Sequence, residues 1–156
     1  MSWVRRKSIH LDKILYQGPI QGSATICFYK KFDVIKTGLA DQIVSFINYL
    51  EKRYHFDCLV YCVMPDHLHL LIELEDESQN FLDLIHRIKQ IISFELKGKY
   101  PYRQLWQDRY FDHIIRNEKE LIIIARYILE NPVRKELVND FRDWQYSGGY
   151  FYELWK

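Results

Sequence analysis

Residues 57–74 read DCLVYCVMPDHLHLLIEL. Two apolar runs, 57–64 and 67–74, flank Pro65-Asp66, a dipeptide that interrupts an extended segment and starts a turn. With Val60, Tyr61, Val63 and Ile72 among their residues, the runs predict two strands joined as a hairpin.

Working outward, SATICFYK (23–30) carries Thr25, Ile26, Phe28 and Tyr29 and predicts a strand before the hairpin. Between them, LADQIVSFINYLEKRY (39–54) repeats apolar residues at Leu39, Ile43, Phe46, Ile47 and Leu50, the spacing of a helix. After the hairpin, NFLDLIHRIKQIISFELKGK (80–99) predicts a second helix stopped near Gly98, and YFDHIIR (110–116) a fourth strand. The order βαββαβ is that of a ferredoxin-like sandwich, an α+β fold with an antiparallel sheet. EKELIIIARYILE (118–130) adds a helix, opened by a capping box of Asn117 and Glu120.

The chain has 156 residues, enough for a single domain with one core. Residues 1–22 predict a basic, irregular arm, 23–131 the core with the added helix, and 132–156 a C-terminal extension with an aromatic tail. The formal net charge of +1 excludes a strongly basic nucleic-acid binder but not a basic face on a neutral protein. Cys27, Cys58 and Cys62 make neither an even disulfide set nor a CxxC knuckle and predict small buried hydrophobes. No apolar stretch approaches a membrane span and no signal-peptide pattern opens the chain, so the expected location is the cytoplasm.

On a strand His67 and His69 project to one side about 7 Å apart, where neutral imidazoles can converge on one divalent ion. Leu68, Leu70 and Ile72 then face the helices, with the histidines on a face the two helices do not cover. Hydrogen-bonded structural histidines are the alternative. Tyr127 and Asn131, four apart, share a helix face about 6 Å apart. Each also has an ordinary role available. Tyr127 suits an amphipathic core, and Asn131 before Pro132 has the form of an N-cap opening PVRKELV.

Three blocks, YCVMPDHLHLLIEL (61–74), LWQDRYFDHIIRNEKEL (105–121) and ARYILENPVRKELV (125–138), occur in that order. Together they resemble the single-tyrosine HUH transposases, and most of all the REP-associated tyrosine transposases, over about Arg5 to Trp144. The resemblance implies a ferredoxin-like domain with a C-terminal helix carrying the tyrosine. It implies His67, His69 and Asn131 as ligands of Mg²⁺ or Mn²⁺, and Tyr127 as a nucleophile that cuts and rejoins single-stranded or hairpin DNA through a 5′-phosphotyrosine. Both monomers and homodimers occur in such a family.

On this reading Arg5, Arg6 and Lys7 form an arm for phosphates. KGKYPYRQLWQDRYF (97–111) interleaves cations with aromatics as single-strand binders do. Arg103, Trp106, Arg109 and Arg116 are the expected DNA contacts, with packing of Trp106 and Phe111 under the sheet as the alternative, and His113 is expected to support the site. Two other readings stand beside this one: a domesticated, non-catalytic module binding hairpin DNA or RNA, and a hydrolytic nuclease with Asp66 or Glu73 as base.

Overall fold

The computed structural model describes residues 12–156; the predicted basic arm Arg5-Arg6-Lys7 lies outside them. Five strands form one antiparallel sheet: β1 (Ile20–Cys27), β2 (Asp57–Val63), β3 (His67–Leu74), β4 (Phe111–Ile114) and β5 (Ser147–Gly148), in the order β4-β1-β3-β2-β5. The hairpin β2–β3 and the helix α1 (Ala40–Tyr54) that precedes it build a split βαβ unit. Helix α2 (Phe81–Glu95) then leads to β4 on the far edge. This is the ferredoxin-like α+β arrangement. Among the described residues no helix is long and apolar enough to cross a membrane.

Alternation along each strand splits the apolar residues between two cores. Gly22, Ala24, Ile26, Leu68, Leu70 and Ile72 face α1 and α2, whose Ile43, Ile47, Leu50, Ile85, Ile88 and Ile92 are almost wholly buried. The opposite parity, including Val60, Cys62 and Leu71, packs on α3 (Glu118–Leu129) through Leu121, Ala125, Ile128 and Leu129. The histidine-bearing face is therefore not left open, as α1 and α2 alone would leave it.

The C-terminal segment completes this second core. Trp144 is buried and donates its indole N–H to the carbonyl of Val63 at 3.0 Å. β5 then pairs with Tyr61 and Cys62, and α5 (Tyr150–Trp155) packs Phe151 inward. Gly149 makes the turn between them at φ +103°, where a Cβ would stand 2.8 Å from the carbonyl oxygen of Leu59. Strand β1 begins at Ile20, three residues inside the predicted arm, because Ile20, Gln21 and Gly22 pair with Leu74, Glu73 and Ile72. Cys58 and Cys62 are buried as expected, and Cys27 is half-buried.

Candidate active site

The imidazoles of His67 and His69 point to a common spot. The register pairs Cys27 with His67 and Thr25 with His69, so these side chains line one face of the sheet. His67 Nδ1 lies 2.7 Å from Asp66 Oδ1; a carboxylate only accepts, so Nδ1 carries a proton, and in the neutral ring Nε2 then holds the lone pair. His69 Nδ1 lies 3.0 Å from Thr25 Oγ1. With that hydroxyl accepting, the Nε2 of His69 also carries a lone pair. The two Nε2 atoms stand 3.0 Å apart with the rings at 90°.

Asn131 closes the group. Its side-chain nitrogen is 2.5 Å from Nε2 of His69 and 3.3 Å from Nε2 of His67, and a half-turn of the amide brings Oδ1 to the same point. Asn131 does not cap the helix that follows. Helix α4 (Asn131–Arg134) starts on it with Glu130 at the cap in αR geometry, so the backbone runs almost helically through the junction. The amide is thus free to turn inward, where it is 5% exposed.

Burial pushes the His69 pKa well below its usual range, and the neighbouring charges of His67 and Arg134 act in the same direction. A neutral imidazole results, the form that ligates metals. The His67 hydrogen bond holds the Asp66 carboxyl below its usual value. Among the described residues no three His, Cys, Asp or Glu side chains form a metal-holding group. Any ion at this spot would rest on two imidazoles and an amide.

Tyr127 lies on α3, one turn before Asn131, and is 40% exposed. The Arg134 guanidinium lies 3.8 Å from its ring centroid and donates from Nη2 to its backbone carbonyl at 2.5 Å. Helix α3 is positioned at its start. Asn117 accepts from the Glu120 N–H, as a capping box requires, but the Glu120 carboxylate reaches further back, to the Arg116 N–H at 2.7 Å and to His113 Nε2 at 2.7 Å.

Residues 23–131 match the family described as transposase IS200 like. The chain belongs to the IS200-like transposases. As a member, it is 32% identical over 128 residues to a Haemophilus influenzae protein named as a candidate REP-associated tyrosine transposase, covering 74% of this chain and 73% of that protein. A REP-associated tyrosine transposase of Escherichia coli is 28% identical over 92 residues, which cover 59% of this chain and 53% of the relative. A solved REP-associated tyrosine transposase bound to a REP hairpin shares the fold, with a TM-score of 0.72 at 23% identity, covering 94% of this chain and 82% of that one.

Around these residues the remaining predicted ones divide. Arg103, Arg109 and Arg116 are exposed and accessible to a ligand. Trp106 is not. It is 5% exposed, stacked on Phe28 at 4.7 Å, with its indole N–H donated to the Lys89 carbonyl, so it packs in the core and offers no stacking surface. His113 faces Glu120 on the first turn of α3 rather than the imidazole pair, and so ties the tyrosine helix to the edge strand.

Sequence reasoning missed Thr25 and Arg134 and considered Asp66 only as a base. Thr25 was beyond reach because its partnership with His69 depends on strand register. Phe111 does not pack under the sheet as Trp106 does: at 52% exposure on β4, it stands opposite Thr25 in the row that ends at His69.

Proposed function

We propose that the chain cleaves and rejoins single-stranded DNA by transesterification through Tyr127, with Mg²⁺ or Mn²⁺ held by His67, His69 and Asn131. The observation that carries this reading is the convergence of two imidazole Nε2 atoms, 3.0 Å apart, with the Asn131 amide one helical turn after Tyr127.

The donor set fits a small divalent ion. Two ligands about 2.1 Å from one ion and about 90° apart stand about 3.0 Å from each other. The partners Asp66 and Thr25 hold the rings in the required orientation, a role such outer residues play at metal sites. A bound ion would supply charge neutralisation at the phosphate oxygens.

The chain's own residues do the rest. The Tyr127 phenolic oxygen attacks phosphorus, the bond to the 3′ oxygen breaks, and the 5′ end stays on the tyrosine. The phenol proton passes through solvent to the departing 3′ oxygen. The phosphodiester is exchanged rather than hydrolysed, so an incoming 3′-hydroxyl can reverse the step without a nucleotide cofactor.

Hairpin DNA is the proposed substrate class, supported by the REP hairpin bound to the structural relative. Exposed Arg103, Arg109 and Arg116, together with Arg5, Arg6 and Lys7, are assigned to phosphates, and exposed Phe111 replaces Trp106 as the stacking aromatic. Of the two bases named for a hydrolytic nuclease, Asp66 is engaged by His67 Nδ1 and Glu73 lies away from the imidazoles. Glu73 sits four residues beyond His69, about 13 Å along the strand, where Gln21 donates to it.

The test is incubation with Mn²⁺ and 3′-labelled single strands tiled from the DNA flanking the gene, beside Tyr127→Phe. A labelled protein adduct that the variant cannot form is the expected result. Free fragments produced equally by the variant would establish hydrolysis, and binding without cleavage of any strand would establish a domesticated binder.

A further inference from the structure

Helix α4 is a single turn, and its ending is built in. Glu136 adopts φ 56°, Glu136 N–H donates to the Val133 carbonyl, and Leu137 N–H donates to the Pro132 carbonyl. Those two bonds form a Schellman closure with a non-glycine residue in the left-handed position. Arg134 is thereby fixed as the last residue of α4. Helical side chains tilt toward the N-terminus, so the long Arg134 side chain runs back across the α3–α4 junction. It ends on Tyr127 twice, with the guanidinium 3.8 Å from the ring centroid and Nη2 on the backbone carbonyl.

A guanidinium held at both a ring face and the carbonyl of the same residue restricts the rotation of that ring. Tyr127 is 40% exposed, and the guanidinium lies over one face of its ring. Attack on phosphorus and its reversal both need the phenolic oxygen in line with the bond that breaks, and misplacement by about 1 Å can cost about a hundredfold in rate.

We infer that Arg134 is a positioning residue for the nucleophile, locking the Tyr127 ring through a stacked guanidinium anchored at the α3 C-terminus. The inference rests on Tyr127 being the nucleophile. Planarity and the fork of donors are the required properties, so lysine, which keeps the charge but cannot stack or bridge both points, does not substitute.

The experiment compares wild type, Arg134→Ala, Arg134→Lys and Tyr127→Phe in single-turnover adduct formation with Mn²⁺ and saturating labelled strand, with DNA affinity measured separately. Both Arg134 variants should form the tyrosyl adduct about tenfold or more slowly, with affinity changed by less than about threefold. Full rescue by lysine, an unchanged rate, or weakened affinity with an unchanged saturated rate would each overturn the inference; the last would make Arg134 a phosphate contact. Absence of adduct in wild type, or its presence in Tyr127→Phe, would instead overturn the nucleophile assignment.

A second measurement does not need activity. Tetranitromethane modification of Tyr127, followed by peptide mass mapping in the folded protein, should accelerate several-fold in Arg134→Ala and Arg134→Lys. Equal rates in all three would mean the ring is not held by the guanidinium.

Discussion

His69 is kept a neutral imidazole chiefly by its burial, and that has a thermodynamic consequence. In the unfolded chain it titrates near 6.5; in the fold its pKa lies well below that value. As pH falls below about 6.5 the unfolded state takes up a proton that the native state does not, so stability falls in that direction by up to about 1.4 kcal/mol per pH unit. Urea melts of metal-free protein between pH 7 and pH 5 should show this loss, and His69→Gln should lack it. Thr25 acts on the same ring from the other side. Thr25→Val keeps the shape but removes the Nδ1 partner, and should weaken Mn²⁺ binding by about tenfold in a calorimetric titration. The two histidines stand out in the sequence as imidazoles in an apolar strand, whereas Asn131, with the ordinary form of a cap before Pro132, was singled out only by the family resemblance of the block around it. The partners of the histidines do not stand out. Thr25 is ordinary in a strand, and only the pairing of Thr25 with His69 makes it part of the site.

At the scale of elements, period and punctuation predicted four strands and three helices because each buries a face of its own. β5 escaped because it is two residues long and is made by pairing with Tyr61 and Cys62, not by any pattern of its own. The same segment matters for α3. Trp144 fixes it to the end of β2, and α5 brings Phe151 into the core on which the tyrosine helix lies. Trp144→Phe preserves an aromatic ring but takes the buried N–H donor from the Val63 carbonyl. It should cost about 1–3 kcal/mol in urea melts, with adduct formation retained at low temperature. Asn131 shows the opposite failure, a local signal overridden by its surroundings. Asn before Pro has the form of a cap, yet Glu130 continues the helical geometry and the amide turns to the histidines.

Across the whole molecule, a net charge of +1 leaves individual cations, not the total, to meet phosphates. A cavity of about 780 Å³ at the β2–β5 side is lined by Glu51, Asp57, Glu73 and Glu153. Exposed Arg109 and Arg116 flank β4 at the opposite edge of the sheet, and Arg103 lies on the connection that leads to it. On the proposed reading a DNA strand would meet Arg103, Arg109 and Arg116 along this edge, where Phe111 is exposed in line with Thr25 and His69. Affinity should then depend on a few local cations rather than on the total charge. Each phosphate neutralised on single-stranded DNA contributes about 0.7 to the slope of log affinity against log salt. Replacing Arg103, Arg109 and Arg116 together by alanine should therefore lower the magnitude of that slope by about 2 in fluorescence anisotropy between 50 and 300 mM salt. Glu153→Gln, a charge change of the same sign as adding a cation but at the acidic edge, should leave the slope as it is. An unchanged slope in the triple variant would move the DNA path away from β4, and with it the stacking role of Phe111.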